Sequence, residues 1–597
     1  MKHMIAIVAV GLTVLTGLAE TVVVSNVTDL VAAIYAHATA SDTIQLAKGD
    51  YDLTGVQMEE SSSFGGSHLL LDKVNLVGLG ETPDEVRLIG DGTLRVIRSN
   101  GAYNVSKIEN LTITNGYAKT VADVTSSGRG GGVYGYFHTL TNVTVIGCKS
   151  DVDGGGVSNY SYIRNCRILN NSSVMGGGVF KPNEILNSLV SGNVSSGNGG
   201  GVYGDSYGKI IDSRIIGNTA NGAGGGVCAV TTITNSIISE NVAVSSGGGL
   251  YSWGASTKFA YDCIICSNKA ESANTYGGGA YQYTIIGGEV FGNEGRHGGG
   301  VASSVLTDVK VHDNYALGYG GGCYQCVATN CVINRNNGAS DGKNGYANRY
   351  VGCEISGSTD QGGKYLNCRI HDIGNAVTLQ GNPYNSDTFT PTHALNGIPV
   401  CTNCLFYNLN LNAYGHSIIC GISSSTRPGY LVNCTFVSNV CGKTFAYFSK
   451  PDYPLYVENC VFFGNKNESG LEFDLWGWGD SGTLVPACIK MSNVVYGWHG
   501  GAFTDLNKPD WAIANVWQWG KDDFPSDPKF AGPDADPENP YALKRASPLR
   551  GRGAVSDWMA DATDIRGEGY ARLRDGKVDL GCYQCWLDAV GALLIFR

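Results

Sequence analysis

The sequence predicts an all-β fold, a right-handed parallel β-helix whose single-stranded coils take about 23 residues each, and three observations predict it. Nine glycine triplets recur between residues 130 and 322, at intervals of 24, 22, 23, 25, 23, 30, 21 and 22 residues. A second signature runs in phase with them: an apolar residue, Asn or Asp two positions on, then Cys or Ser, an apolar residue, and finally Asn. Apolar residues alternate only over three to five positions, the mark of short strands rather than helices.

Copies of the second signature include Ile163, Asn165, Cys166, Ile168, Asn171 and Ile233, Asn235, Ser236, Ile238, Asn241. It outlasts the triplets, in Leu431, Asn433, Cys434, Phe436, Asn439 and in Val457, Asn459, Cys460, Phe462, Asn465. Two or three short strands fit into such a repeat only with sharp bends, and one coil cannot bury its own apolar face, so coils stack. Stacking at a strand spacing of about 4.8 Å sets each position above its own copy. Asparagines at bends then ladder amide to amide and tolerate left-handed backbone. The triplets supply backbone without Cβ atoms, free to turn or to approach a neighbour closely.

The elements follow in order. Residues 1–19 read as a signal peptide, with Lys2 and His3 ahead of the apolar run Ile5–Leu15 and with Gly17 and Ala19 at −3 and −1 of a cut before Glu20. Residues 20–60 read as an N-terminal cap and first coil. A short amphipathic helix runs from Thr28 to Ala38, with Thr28 or Asp29 as its cap and Leu30, Ile34 and Ala38 on one face, and the run from Asp42 to Leu46 opens the first coil. Residues 61–470 read as the β-helix, and 471–597 as Trp-rich loops, last coils and a C-terminal cap. No later stretch reads as a membrane-spanning helix, so the expected location is outside the cytoplasm: extracellular, at the cell surface or in the periplasm of a bacterium.

Composition agrees with a solenoid. Of 597 residues 85 are glycine, 43% are hydrophobic and only 16% are charged. The net charge of −11 comes without any Lys/Arg cluster, which argues against a nucleic-acid partner, because phosphate contacts need concentrated positive charge.

These residues resemble the pectate-lyase-like parallel β-helix superfamily. The segment SDTIQLAKGDYDL at 41–53 looks like that superfamily's entry into the helix. The paired GGGV and x-x-x-N elements are similar to the Gly-Gly-Ala and Phe-x-x-Asn repeats of polymorphic outer-membrane proteins, with Gly for Ala at the third position and mostly Ile, Leu or Val for Phe. SDPKF at 526–530 with DLGCYQCW at 579–586 resembles the tail of bacterial secreted β-helix proteins. The resemblance implies the fold and leaves the activity open, since this scaffold carries lyases, hydrolases, adhesins and passenger domains alike. It leaves no room for a C-terminal membrane barrel, because the coil signature runs to about residue 465.

Several groups are candidates for chemistry. Cys166, Cys263, Cys331, Cys353, Cys368, Cys404, Cys434 and Cys460 share one repeat position. They form either disulfides between coils or a ladder of buried thiols, with Cys331, Cys353 and Cys368 the best place for a bridge. Cys-x-x-Cys pairs at 263/266, 323/326, 401/404 and 582/585 point to packing rather than to zinc. No metal or cofactor is expected. Gly204-Asp-Ser206-Tyr-Gly208 lacks the strand–helix context of a nucleophile elbow. The densest mixed charge cluster is Asp341, Lys343, Arg349, Asp360, Lys364, Arg369, His371 and Asp372. Six of nine tryptophans fall within 476–519: Trp476, Trp478, Trp498, Trp511, Trp517 and Trp519, with Asp480 among them. Sugar rings stack on flat aromatic faces while carboxylates take their hydroxyls, so these seven residues are the candidate ligand site, the alternative being that the aromatics cap the end of the helix.

Two functions are compatible with this reading. One is a non-catalytic, adhesin-like secreted or surface protein that binds a polysaccharide or cell-surface glycan. The other is a carbohydrate-active enzyme, a polysaccharide lyase or glycoside hydrolase, which requires several members of the 341–372 cluster to converge.

Overall fold

A computed structural model describes residues 19–37, 42–59, 65–99, 106–122, 124, 127–136, 138–254, 258–339, 343–378, 388–389, 391, 393–397, 399–411, 417–420, 427–441, 444–447, 452–467, 470, 489–496, 512–520 and 524–585. The chain is a right-handed parallel β-helix and divides into two compact units, residues 1–173 with 178–188, and residues 174–177 with 189–597.

In the first unit, strand β1 (Thr21–Val24) pairs in parallel with β2 (Thr43–Leu46), and helix α1 (Val27–His37) lies between them in sequence. Asn26 caps the helix, its side-chain oxygen accepting the Asp29 N–H at 2.9 Å, so the helix starts earlier than Thr28. Leu30, Ala33 and Ile34 are its buried residues, and the helix packs against both strands; Ala38 lies outside the described residues. Later coils stack in register, Leu140 against Ile163 and Ile163 against Ile185, and Val133 against Val157 and Val157 against Val179, all fully buried. This interior also holds a buried Arg98–Glu59 ion pair, and Arg95 lies 4.7 Å from the Tyr134 ring.

In the second unit two interior columns run through the coils. One passes Ile210, Ile233, Ala260, Ile285, Leu306, Ala328 and Tyr350. The other passes Ile215, Ile238, Ile265, Val290, Val311, Ile333 and Ile355. Every one of these side chains is buried. The corner between the two strands of a coil is left-handed, with φ of 49° at Asp212, 46° at Asn235 and 50° at Asp262. Asn and Asp tolerate that conformation better than other side-chain-bearing residues.

The last Asn of the signature and the glycine triplet form one device. Asn218, Asn241, Asn268, Asn293, Asn314 and Asn336 are fully buried, and each side-chain amide donates to the next at 2.9–3.0 Å. Each also receives a backbone N–H from the coil before it, as Asn268 does from Asn241 at 3.0 Å. In the triplet 224–226, Gly224 has φ +70°, a Cβ on Gly225 would lie 2.5 Å from the Gly248 carbonyl, and a Cβ on Gly226 would lie 2.8 Å from the Asn241 amide nitrogen. Turn, neighbouring backbone and asparagine ladder thus each exclude a side chain at one of the three positions.

The Cys/Ser position is equally specific. Ser213 and Ser236 donate their hydroxyls to the carbonyl two residues back at 2.7 Å, and Cys263 and Cys331 donate their thiols to the same place at 3.2 Å. The described cysteines are thiols, Cys331, Cys353 and Cys368 included. Strands Ile489–Tyr496 and Ala512–Gln518 extend the parallel pairing. Residues 524–585 then fold back along the outside of the coils, packing Ile565, Cys582 and Tyr583 on Leu405 and Val437, and Phe524, Leu549 and Leu580 on Val461 and Val495.

Candidate functional site

Strand alternation puts the residue after each triplet inside and the one after that outside. In the second unit that outer position carries Tyr203, Tyr251, Tyr281, Tyr324 and Tyr346, linked by register through Cys228 and Ala302. A second row comes from the loops, Trp253 on one side and Tyr276, His297 and Tyr319 on the other. The rings touch in an unbroken series. Trp253 lies 6.2 Å from Tyr203 and 5.3 Å from Tyr251, which stacks on Tyr281 at 5.5 Å. Tyr281 meets Tyr276 at 5.8 Å, and Tyr276 meets His297 at 5.5 Å. His297 stacks on Tyr319 at 5.7 Å and approaches Tyr324 at 5.1 Å. Tyr346 closes the series, 5.4 Å from Tyr324 and 4.7 Å from Tyr319.

The face is aromatic and partly open to solvent. Trp253 is 56% exposed and Tyr319 38%, while the other rings are half-buried. The rings themselves are uncharged: burial, helped by the exposed Arg296, holds His297 below the ordinary imidazole range, and burial pushes the Tyr281 and Tyr324 phenols up. Because several neighbours stack face to face, the surface offers mainly ring edges and phenol oxygens, with Trp253 the most exposed ring.

The signal for this face stands in the sequence as Gly-Gly-Gly-apolar-Tyr, at GGGVY 199–203, GGGLY 247–251, GGGAY 277–281 and GGGCY 320–324. The sequence reading stopped at the apolar residue and missed the tyrosine.

The expected tryptophan site is only partly visible. Trp476, Trp478, Asp480, Trp498 and Trp511 lie outside the described residues. Trp519 is half-buried, donates its indole N–H to the Phe462 carbonyl at 2.7 Å and packs edge-on against Phe463 and Phe524. Trp517 lies 5.6 Å from Phe524. Those contacts place both rings in the packing between the last coils and the C-terminal segment.

The 341–372 cluster divides. Asp341 lies outside the described residues. Asp360 points into the interior, where Tyr350 and Tyr365 donate their hydroxyls to it at 2.5 and 2.6 Å, and burial pushes its carboxyl up to about 6. Lys343 bonds Asn337 at 3.1 Å, and Arg349 and Lys364 are exposed register partners. Only Arg369, His371 and Asp372 gather, around Glu354. His371 lies 2.6 Å from Asp372 through Nδ1 and 3.0 Å from Glu354 through Nε2, and it stacks on Tyr407 at 4.7 Å. Burial pulls the imidazole down, but the two carboxylates outweigh it and raise it above its ordinary value. Burial, with the same carboxylates, pushes Tyr407 up to about 12. Arg369 turns away to Asn539 at 2.9 Å. Both ring nitrogens of His371 are thus within hydrogen-bond distance of a carboxylate.

Among the described residues one further group has metal-type ligands close together, Glu20, His37 and Asp42, whose ligand atoms lie within 4.8 Å of one another. No helix among these residues is long and apolar enough to cross a membrane.

No family model matches the chain, and no curated protein matches it in sequence. Solved structures similar to it include the A-module of a mannuronan C-5 epimerase from Azotobacter vinelandii, at 14% identity over 83% of this chain and 100% of that one with a TM-score of 0.20. A pectate lyase is similar at 9% identity over 91% and 88% of the two chains, TM-score 0.24. A PL6 family alginate lyase is similar at 11% identity over 85% and 98%, TM-score 0.17. By its own strand pairing the chain is a parallel β-helix protein. That class rests on its own strand register, and no activity is carried over from the neighbours.

Proposed function

We propose that this protein binds a glycan non-catalytically along the aromatic face of its second unit. The observation that carries the proposal is the continuous series of rings from Tyr203 to Tyr346, with neighbouring centroids 4.7–6.2 Å apart and partly open to solvent. A rigid solenoid presents such rings without ordering cost on binding. Trp476, Trp478, Trp498 and Trp511 with Asp480 form a second candidate contact for the same ligand class. Export to the cell surface or beyond is part of the same reading, since that is where a polysaccharide partner is met.

The test is a binding screen of immobilised polysaccharides with the wild-type protein and a Trp253→Ala, Tyr281→Ala double variant. The expected result is binding by the wild type and at least a tenfold loss in the variant, with the melting temperature of the variant nearly unchanged because both rings lie on the outer face. Equal binding by both proteins sinks the aromatic-face site. Depolymerisation of any bound polysaccharide by the wild type sinks the non-catalytic reading.

A further inference from the structure

The start of β1 carries an arrangement that the glycan reading does not use. Glu20 is held from both sides of its backbone: its N–H donates to Asp42 Oδ1 at 2.7 Å, and its carbonyl accepts the Thr43 N–H at 2.8 Å. From Thr21 onward the chain is locked into register with β2. Asp42 is 4% exposed. Its other oxygen lies 2.7 Å from His37 Nδ1, and the Glu20 carboxylate lies 4.0 Å from the same nitrogen. The Asp42 carboxylate thus accepts a backbone N–H on one oxygen and faces the His37 imidazole with the other, and that N–H is the largest factor holding it below the ordinary carboxylate value. An ammonium on the same nitrogen adds a full charge to that bond.

That nitrogen is also the first residue after the predicted cut, where Gly17 and Ala19 hold the small-residue positions behind an apolar run. We infer that the Ala19–Glu20 peptide bond is a processing site and that the α-ammonium group released there docks on the buried carboxylate of Asp42. A leader peptidase adds water across the bond: Ala19 leaves as a carboxylate, and the Glu20 nitrogen becomes an ammonium on the same atom. Because Thr43 and the β1–β2 register hold Glu20 in place, the new charge arises already within bonding distance of its partner. The ligand-like trio of Glu20, His37 and Asp42 is then a cradle for the mature N-terminus and needs no metal ion.

The pH behaviour follows. The charged and titratable groups nearest the new ammonium are Asp42 just ahead of β2, His37 at the end of α1 and the Glu20 carboxylate itself. An α-amino group titrates ordinarily near 7.7–8.0, and pairing with Asp42 raises it. Its contribution to stability is fully present below about 7.7 and is lost as pH rises through the raised folded-state value.

The test begins with the full 597-residue chain expressed in an exporting bacterium, followed by N-terminal sequencing and intact mass of the recovered protein. A start at Glu20 is expected, and any other start, or retention of residues 1–19, overturns the proposal. Second, the protein starting at Glu20 is compared with one that retains Ala19, which moves the ammonium one residue away. The Glu20 form is expected to melt higher at pH 6–7, with the gap closing above pH ~9. Equal melting at all pH values overturns the docking. Asp42→Asn is expected to abolish the gap. Should that variant not fold, acetylation of the Glu20 amino group on the wild-type protein makes the same test, and a gap that survives acetylation overturns the docking.

Discussion

The coils of the second unit that carry glycine triplets differ from those that follow them, and the difference shows what the triplets are for. From Gly199 to Gly338 each coil has an asparagine amide in its interior and, in most coils, a ring on its outside. At Asn344 the ladder ends: it accepts from Asn336 and donates to the carbonyls of Ser356 and Ser358 rather than to another asparagine. Beyond that point rings and thiols occupy much of the interior, beside a further amide pair in which Asn439 donates to Asn465 at 2.9 Å. Tyr350 stacks on Tyr365 at 5.3 Å, Phe406 on Phe436 at 4.3 Å and Phe436 on Phe462 at 4.8 Å. The thiols of Cys331, Cys353, Cys368, Cys404, Cys434 and Cys460 hold one repeat position, each donating to the carbonyl two residues back. Triplet glycines leave room beside the amides, as Gly226 does beside Asn241, although the buried Asn439–Asn465 pair stands in coils without triplets. The outer surface changes with it: the triplet coils keep an open aromatic flank, and several of the later coils are covered by residues 524–585.

The largest effect that separates the two regions is expected from Asn268→Ala. It strips both donors of Asn241 of their acceptor and leaves the Ile238 carbonyl without its amide. Urea unfolding should show a loss of about 4 kcal/mol; a loss below about 1 kcal/mol would mean that the ladder is ornamental.

Next comes Asp360, at the boundary. Its folded-state pKa lies above the ordinary carboxylate value, so its contribution to stability is complete below about 4 and is lost as pH rises through about 6. Relative to wild type, Asp360→Asn should therefore gain about 3 kcal/mol between pH 4 and pH 7. A pH-independent difference between the two proteins would show that the buried carboxyl is not the titrating group.

The smallest effect is expected from Cys331→Ser. Serine at the equivalent position of other coils makes the same bond to the carbonyl two residues back, so the cost should stay below about 1 kcal/mol. A loss several times larger would mean that the thiol column holds the later coils together in a way a hydroxyl cannot.

The repeat made the fold legible, because a β-helix writes each layer into the sequence in the same register. The left-handed corners were readable from Asn and Asp, and the buried ladder from the final Asn. Three things were not readable. The helix cap falls on Asn26, because the cap is chosen by side-chain geometry that Thr28 and Asp29 could equally have met in sequence. Asp360 looked like a surface charge, since nothing in its own segment announces the two tyrosine hydroxyls that coils before and after it bring to its carboxyl. Tyr281 and Tyr324 were passed over because single tyrosines 43 residues apart carry no signal until stacking brings their rings into one series, through Tyr276 at 5.8 Å from each.

The central claim is that a periodic row of rings meets a periodic ligand, and its most direct measurement is affinity against oligosaccharide length, by calorimetry, for the wild type and a Tyr281→Ala, Tyr324→Ala variant. The account predicts affinity that climbs with each added sugar over several units in the wild type and stops climbing early in the variant. Affinity that is independent of length, or a length dependence that both proteins share, would contradict it.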